Sequence, residues 1–462
     1  MTHLGNSAGS RDIAYHLHPY TNLKTHETSG PLVIASGKGV TVTDETGKEY
    51  IEGVAGLWCT SLGFDEPRLV DAAIRQMRTL PFYHAFAHKS HEPAIDLAEK
   101  LIGLAPVPMS KVFFACSGSE ANDTAVKLVW YYNNALGRPQ KKKIIARQKA
   151  YHGVTVAAAS LTGLPNCHRD FDLPIQGILH TDCPHHYRFG LEGESEADFA
   201  TRLADNLEAL ILREGPETVA AFFAEPVMGA GGVILPPATY FEKIQAVLRK
   251  YDVLLVADEV ICGYGRTGNM WGSQTYGMKP DILTSAKALT SAYLPLSAVL
   301  VSDAIYRACV DESAKIGTFG HGYTYSGHPV SCAVALETLK IYEERDIIRH
   351  VRAVAPRLQQ GLRAFRDHPL VGEVRGTGLI AGVELVADKA TRKPFDPALG
   401  VGTKLVSFSH QHGAILRPIG DSIGFSPPLI IDETKIETLL FRFEKSLADT
   451  ADWLVREGVR VS

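Results

Sequence analysis

The sequence has few cysteines and no long apolar segment. Its seven cysteines are odd in number, scattered and without a CxxC pair, which excludes a disulfide framework and a zinc ribbon. No stretch approaches the roughly 20 apolar residues that a membrane span needs. Residues 1–18 are polar, so they lack the apolar core of a secretory signal peptide. These absences predict a reduced, cytoplasmic protein.

An excess of positive charge is also missing. The 47 Lys and Arg residues are balanced by 51 Asp and Glu residues, which gives a formal net charge of −4. Nucleic acids and anionic membranes attract proteins with a basic excess. We therefore expect no nucleic acid and no membrane among the main partners.

The middle of the sequence alternates short apolar runs with segments of helical spacing. The chain has 462 residues, enough for about two to four domains or for one large layered domain with a satellite. Helical spacing is clearest in Glu120–Asn134 and Tyr240–Lys250. The alternation predicts an α/β fold with a mostly parallel sheet, whose ligands lie at the carboxyl ends of the strands. The predicted strands are Val112–Ala115, Ile144–Arg147, Ala220–Ala224, Val253–Ala257, Ile282–Thr284 and Ala298–Val301.

The two ends of the chain have a different pattern. Residues 32–58 predict a small antiparallel patch. A long helical pattern covers Pro329–Ala364, and a hairpin is predicted within residues 371–385. A helix at about Val401–His412 and an amphipathic helix from Glu433 complete the chain. We expect both ends to form one small α+β domain beside the central sheet.

The first candidate site follows the first central strand. Ser117, Gly118 and Ser119 form a turn that opens a helix. The free N–H groups at such a helix start can bind a phosphate. The same residues also fit a plain helix cap, in which Ser117 and Glu120 form a capping box.

The second candidate site ends another central strand. Asp258 and Glu259 are adjacent carboxylates that could bind a metal, exchange protons or hold a cationic nitrogen. The glycine-rich loop at residues 263–268 lacks the helix and the downstream acid of a dinucleotide site, so we do not expect dinucleotide binding.

Two further candidates follow along the chain. Lys287 lies after a strand among small residues, where an apolar setting lowers the pKa of an amine, although most lysines are solvated surface charges. Residues 320–329 form a glycine- and histidine-rich turn before a helix. The cluster at residues 180–186 has metal-capable side chains but no ordered ligand spacing, so we interpret it as a loop and predict no metal.

The order of these signals is more informative than any one of them. A phosphate cradle, an aromatic residue at Tyr151, an Asp at a strand end and a later Lys describe a site for pyridoxal 5'-phosphate. The sequence resembles class III (omega) aminotransferases, and is most similar to their amine:pyruvate subgroup. The matching motifs cover nearly the whole chain and are Gly56–Trp58, Ser117–Asn122, Ala150–Gly153, Ala224–Gly232, Asp258–Arg266, Lys287, His321–Pro329 and Leu416–Pro418. Ala288 and Ala292 depart from this pattern, since many relatives have glycine there.

The resemblance implies a fold, a cofactor and an assembly. It implies the type I fold of pyridoxal-phosphate enzymes and a homodimer with active sites at its interface. The large cofactor-binding domain would cover residues 61–326. The small domain would be built from residues 1–60 and 327–462.

The resemblance also implies roles for individual residues around the cofactor. Lys287 would form the aldimine and shuttle a proton, and Asp258 would keep the ring nitrogen protonated. Glu225 would orient Asp258. Thr324 would bind the phosphate of the partner subunit's cofactor. The implied cofactor-binding residues are Ser117, Gly118, Ser119, Tyr151, His152, Glu225, Asp258, Val260, Ile261, Lys287 and Thr324.

The implied substrate pocket combines apolar walls with one cation. Arg417 resembles a mobile switch that pairs with a substrate carboxylate and swings away for neutral amines. The implied substrate-binding residues are Tyr20, Leu57, Trp58, Phe86, Tyr151, Ala230 and Arg417.

The expected activity is transfer of an amino group from a primary amine or ω-amino acid to pyruvate, by a ping-pong mechanism. The alternatives are a diamine, 4-aminobutyrate or ornithine-type transaminase using 2-oxoglutarate, or a class III aminomutase. A regulator that senses the cofactor would need a DNA-binding module, for which the chain has no spare segment. A phosphate-cradling NTPase would need GxxxxGK[ST], which is absent.

Overall fold

Fifteen strands and sixteen α-helices make up the part of the chain that the structure describes. The computed structural model describes residues 5–459, so the outer limits of the two predicted end segments, residues 1 and 462, lie outside it. The strands are β1 (Ile34–Lys38), β2 (Thr41–Asp44), β3 (Glu49–Glu52), β4 (Lys111–Ala115), β5 (Lys143–Arg147), β6 (Ile178–Thr181), β7 (Val219–Ala224), β8 (Leu254–Asp258), β9 (Ile282–Ser285), β10 (Ser297–Val301), β11 (Val371–Thr377), β12 (Ile380–Leu385), β13 (Ala414–Ile415), β14 (Arg417–Ile419) and β15 (Ser422–Phe425).

The helices cover the sheets and fill the connections between strands. Within residues 5–459 none of them combines the length and apolarity needed to cross a membrane. Five short 3-10 helices occur at Pro165–Cys167, Pro216–Thr218, Lys287–Thr290, Ala364–Asp367 and Pro397–Leu399. The α-helices are α1 (Ala8–Tyr15), α2 (Leu23–Ser29), α3 (Ala55–Trp58), α4 (Pro67–Thr79), α5 (Glu92–Leu104), α6 (Gly118–Ala135), α7 (Val156–Leu161), α8 (His186–Phe189), α9 (Glu196–Glu214), α10 (Tyr240–Lys250), α11 (Gly272–Tyr276), α12 (Asp303–Ile316), α13 (Pro329–Glu344), α14 (Ile347–Arg363), α15 (Val401–Gln411) and α16 (Glu433–Arg456).

Seven strands form the central sheet, in the order β4-β10-β9-β8-β7-β5-β6. All six predicted central strands are present within one or two residues of their predicted bounds. Strands β9, β8, β7, β5 and β6 are parallel, whereas β10 is antiparallel to both of its neighbours. Every residue of β7 is buried, as expected for a strand covered by helices on both faces. The predicted α/β fold with a mostly parallel sheet is confirmed.

Two local predictions were wrong. The helical pattern over Pro329–Ala364 is not one helix, because Asp346 has a left-handed backbone (φ 45°) and its side chain accepts a hydrogen bond from the backbone N–H of Arg349. Asp346 therefore ends one helix and caps the next. The stretch at residues 180–186 is not simply a loop, since it includes the end of β6 and the start of α8.

The two ends of the chain meet in one small sheet. Strands β1, β2 and β3 form an antiparallel meander, and β13 adds to it in parallel with Ala414 opposite Ile51. A second four-stranded sheet, β11-β12-β15-β14, uses the C-terminal part alone and has β14 at its edge. The shared strand pairing supports our proposal that residues 1–60 and 327–462 form one domain.

Candidate active site

The candidate site residues lie at one edge of the central sheet. Ser117 follows β4, Asp258 ends β8, and Lys287 follows β9. Glu225 follows β7, and Tyr151 lies shortly after β5. Although β10 is reversed, β4 and β9 both run antiparallel to it and therefore run in the same direction. The loops that carry these five residues consequently emerge on the same side.

The start of α6 is both a capped helix and a free set of N–H groups. Ser117 Oγ accepts a hydrogen bond from the backbone N–H of Glu120 at 3.2 Å, and the Glu120 carboxylate accepts one from the N–H of Cys116 at 2.7 Å. Among the described residues, the N–H groups of Gly118 and Ser119 have no hydrogen-bond partner. The predicted capping box is not formed, because the Glu120 carboxylate accepts from the N–H of Cys116 and not from that of Ser117. The Ser117 cap and the phosphate cradle are compatible, and two donors remain for an anion.

Close packing around the helix start leaves space only for glycines at two positions. A Cβ on Gly118 would lie 3.0 Å from Val260 Cγ1. Gly153 has φ +133°, and a Cβ there would lie 2.8 Å from Ser119 Cα. Ser119 Oγ accepts a hydrogen bond from the N–H of Val154 at 3.1 Å, which fixes this contact. The packing explains why both positions are glycine, since a side chain at either would displace Val260 or Ser119 at the helix start.

Asp258 is a buried carboxylate held from both sides. Its Oδ2 accepts a hydrogen bond from Asn122 Nδ2 at 2.8 Å and lies 2.8 Å from His152 Nδ1. Its Oδ1 accepts a hydrogen bond from the N–H of Val260 at 3.0 Å. Only 3% of Asp258 is exposed. A carboxylate so fixed suits the pairing with a cationic ring nitrogen that pyridoxal phosphate requires.

The predicted role of Glu225 needs correction. Its two carboxylate oxygens accept hydrogen bonds from the backbone N–H groups of Tyr151 and Gly229, each at 3.0 Å. Complete burial raises the pKa of Glu225. Its bonds hold the backbones on either side of the site, whereas His152 and Asn122 orient Asp258.

Asn122 is the residue that the sequence interpretation missed. It lies within the Ser117–Asn122 motif, but we assigned it no role. Its Nδ2 also donates to the carbonyl oxygen of His152 at 2.7 Å, and its Oδ1 accepts from Thr284 Oγ1 at 2.9 Å. A polar side chain one turn after Gly118, on the face that α6 buries, was the signal for it.

Lys287 is partly buried, and its backbone has an unusual conformation. It is the first residue of a 3-10 helix and has φ +48°, a left-handed value that is uncommon outside glycine. Burial lowers the pKa of Lys287, while nearby Asp258 opposes that effect and Arg417 adds to it. A neutral amine is therefore accessible at lower pH than for a solvated lysine, as a Schiff-base nucleophile requires.

Four of the predicted substrate residues form one group. The Arg417 guanidinium lies 5.9 Å from the centre of the Trp58 ring, and Trp58 is 1% exposed. Burial lowers the pKa of Arg417, and the two tyrosines of the group, Tyr20 and Tyr151, oppose that effect. Tyr20 Oη lies 3.6 Å from Cys167 Sγ, and Tyr20 is 58% exposed.

The other predicted residues lie in two different settings. Ala230 and Ile261 are buried in the loops after β7 and β8, whereas Leu57 is 56% exposed beside Trp58. Phe86 packs on the turn that carries Thr324. Its ring is so close to Gly322 that a Cβ there would lie 2.6 Å from it. Thr324 is itself exposed.

The fold and this edge of the sheet together define an enzyme of the type I fold that uses pyridoxal 5'-phosphate. The family model for class III aminotransferases matches residues 23–447. The chain belongs to the class III aminotransferases, so the predicted family, cofactor and enzymatic nature are confirmed.

The names of similar proteins refer to different substrates. The chain is 58% identical over 421 residues to γ-aminobutyrate transaminase 3, chloroplastic, of Solanum lycopersicum, covering 91% of this chain and 81% of the relative. It is 55% identical to vanillin aminotransferase of Capsicum annuum, covering 91% and 92%. A solved omega transaminase of Pseudomonas jessenii in complex with PMP is 57% identical, has a TM-score of 0.96, and covers 97% of this chain and 99% of its own.

The predicted cytoplasmic location is contradicted by these relatives. Several similar γ-aminobutyrate transaminases are named chloroplastic or mitochondrial. That prediction rested on the scattered cysteines and on the lack of a membrane span and of an apolar signal peptide. Organelle-targeting segments are amphipathic rather than apolar, so none of these three features distinguishes a cytoplasmic protein from an organellar one.

Proposed function

We propose that the enzyme transfers the terminal amino group of an ω-amino acid such as 4-aminobutyrate to a monocarboxylate keto acid such as pyruvate. The similar γ-aminobutyrate transaminases support this donor. An ω-amino acid donor belongs to the activity expected from the sequence, whereas 4-aminobutyrate itself stands there among the alternatives, with 2-oxoglutarate as acceptor. The two half-reactions would share one pocket in a ping-pong sequence.

The observation that carries the proposal is the unpaired charge of Arg417. Arg417 forms no ion pair among the described residues and lies between Trp58 and the tyrosines at positions 20 and 151. A partly buried guanidinium without a counterion is costly. A substrate carboxylate can supply that counterion through two parallel hydrogen bonds.

A single cation also favours a substrate with a single carboxylate. Arg147 donates to the carbonyl of Glu225, and Arg266 donates to the carbonyls of Leu379 and Pro427. Of these three arginines in the described chain, Arg417 is thus the one free to pair with a substrate, and it also acts on the pKa of Lys287. Pyruvate has one carboxylate, whereas 2-oxoglutarate would bring a second that needs another partner.

The chain would bind, orient and move protons around the cofactor, which supplies an electron sink when bound. Lys287 Nζ would take the proton from the substrate carbon and return it on the other side of the reacting bond. Asp258, fixed by Asn122 and His152, would hold the proton on the ring nitrogen.

A second donor class, neutral arylalkyl amines, is supported by the Trp58 ring. A guanidinium can rest against an aromatic face when no carboxylate is present. The similarity to omega transaminases and to vanillin aminotransferase is in line with such donors.

The exposed turn around Thr324 supports a homodimer. Phe86 packs on the same turn, at Gly322. If Thr324 reaches the phosphate in the partner's site, Phe86 reaches that site with it. We therefore propose that Phe86 forms a wall of the partner's pocket, and not of the pocket that contains Tyr151 of its own chain.

The test compares single-turnover rates of 4-aminobutyrate, alanine and 1-phenylethylamine in wild type and Arg417→Gln. We expect the two carboxylate donors to lose about 10- to 100-fold, since a charge-assisted pair contributes about 1.5–3 kcal/mol, while the neutral amine changes little. Competition between pyruvate and 2-oxoglutarate should favour pyruvate. Equal losses for all three donors would contradict the proposed role of Arg417, and a preference for 2-oxoglutarate would contradict the proposed acceptor.

A further inference from the structure

A cluster of three histidines surrounds one carboxylate near the beginning of the described chain. Asp12 Oδ1 lies 2.9 Å from His16 Nδ1, and Asp12 Oδ2 lies 2.8 Å from His18 Nε2 and 2.9 Å from His26 Nε2. The His18 and His26 rings lie 4.0 Å apart, and those of His16 and His18 lie 4.6 Å apart. The cluster draws on α1, the segment after it and α2.

The geometry of His18 differs from that of a simple hydrogen-bonded histidine. Its Nε2 is buried and close to Asp12 Oδ2, yet it is not aligned for a hydrogen bond. The nitrogens of His16 and His26 are aligned with Asp12. The cluster therefore holds a buried ring nitrogen that lies 2.8 Å from a carboxylate oxygen without being aligned as its hydrogen-bond donor.

The distances are close to those of a metal site. Ligand atoms about 2.05 Å from a tetrahedral ion lie about 3.4 Å from one another. The ligand atoms of Asp12, His16 and His18 all lie within 4.8 Å of one another. To hold an ion, the Asp–His distances would increase by about half an ångström and the histidine nitrogens would move closer together. His26 Nε2 lies 2.9 Å from Asp12 Oδ2 but outside that group of three, so it would join by a larger movement.

The charge balance distinguishes this cluster from the other candidate group in the described chain. His185, Glu373 and Glu384 also converge, but Arg375 binds both glutamates and Arg188 binds Glu384, so cations already fill that site. The ion pairs of Asp12 in residues 5–459 are with the three histidines alone.

We propose that Asp12, His16, His18 and His26 bind one divalent transition-metal ion of the zinc class. Three imidazoles and one carboxylate form a donor set that zinc and its neighbours accept in tetrahedral geometry. Tyr20 lies in the chain between His18 and His26, so the ion fixes the segment that brings Tyr20 to Cys167 and Asn166. The site acts as a clamp on the entrance of the substrate pocket.

The test uses the cofactor-loaded enzyme after treatment with a chelator. Titration with Zn²⁺ by calorimetry should give one ion per chain, and Co²⁺ should give the visible bands of a tetrahedral complex. His18→Gln keeps a side chain that can hydrogen-bond Asp12 but is a poor ligand, and we expect it to weaken binding at least about tenfold. His412→Gln is the matched control, since it removes a His–Asp pair elsewhere and should bind the ion as wild type does.

Hydrogen exchange provides a second measurement that does not depend on activity. Zn²⁺ should slow exchange within residues 8–29 of wild type and of His412→Gln, but not of His18→Gln. Equal ion affinity in all three proteins, or no ion bound by wild type, would overturn the proposal. Should His18→Gln fail to fold, Asp12→Asn replaces it with the same expected loss.

Discussion

Lys287 differs from a solvated surface lysine, because it is partly buried and its pKa is lowered. We expect Lys287→Ala to keep binding pyridoxal phosphate without a covalent link, since the helix start at Gly118 and the Asp258 carboxylate remain. Turnover should fall by at least about 10²- to 10⁴-fold, the range that a general acid–base contributes. Borohydride reduction and peptide mapping should find the cofactor on Lys287 in wild type and on no lysine in the variant. Lys149→Ala is the control, and a label on Lys149 would contradict the assignment.

Asp258 is expected to act through its negative charge, and Asn122 through orientation. Asp258→Asn should lower the single-turnover rate by at least about 100-fold, because a neutral amide no longer favours a protonated ring nitrogen. Asn122→Ala should cause a smaller loss, as His152 still holds Asp258. A deuterated donor shows whether the proton transfer itself is slowed. A larger rate loss in Asn122→Ala than in Asp258→Asn would mean that the orientation by Asn122 matters more than the negative charge of Asp258.

The candidate residues differ in how well the sequence revealed them. Lys287 and Asp258 could be found because each follows an apolar run and their order matches a known family. Asn122 and His152 act through contacts between distant segments, 136 and 106 positions from Asp258. No local pattern specifies such pairing, and for the same reason Glu225 was assigned to the wrong neighbour.

At the scale of elements, Asp346 separates α13 from α14. We expect Asp346→Ala to lower the free energy of unfolding by about 1–3 kcal/mol, because alanine loses the cap on Arg349 and disfavours the left-handed backbone. Asp346→Asn should change it little, since asparagine both caps and tolerates that backbone. Urea denaturation measures the free energy of unfolding of both variants. An alanine variant as stable as the asparagine variant would mean that the cap and the backbone conformation contribute nothing.

Strands and most helices were predictable because their apolar periodicity reports directly on burial. Helix α10 has its predicted bounds, and β7 differs by one residue. The break at Asp346 was not predicted, because the helical pattern continues through both helices and no Gly or Pro marks the junction between them. Strand β6 was not predicted because it has only four residues, and two of them, His180 and Thr181, are polar.

At the scale of the whole molecule, Glu52 makes stability depend on pH. Burial raises the pKa of Glu52 to about 7. Between its unfolded value near 4.5 and about 7, the folded state binds more protons than the unfolded state, so the free energy of unfolding falls as pH rises and levels off above 7. Between pH 5 and pH 8 this amounts to about 2–3 kcal/mol, at about 1.4 kcal/mol per pKa unit.

Glu52→Gln should reduce the measured fall by about that amount, because glutamine does not ionise and can still accept the hydrogen bond from the N–H of Val54. A fall of the same sign remains from Glu259, because burial raises its pKa to about 7 as well. Urea denaturation at pH 5 and pH 8, at one protein concentration, gives the comparison. The exposed Glu49 on the same strand is the control, and Glu49→Gln should follow wild type. An unchanged pH dependence in Glu52→Gln would show that Glu52 ionises normally in the folded protein.

The pairing of β3 with β13 has a consequence for the order in which the protein is made. Lys48 also bonds to the carbonyl of His410, 362 positions along the chain. A ribosome releases the first three strands long before it has made their partner, so that edge of the meander stays open while the central sheet can already form. The N-terminal sheet is therefore completed last, although its first three strands are synthesised first. A chain that ends before residue 414 would leave an open strand edge with which other chains can pair.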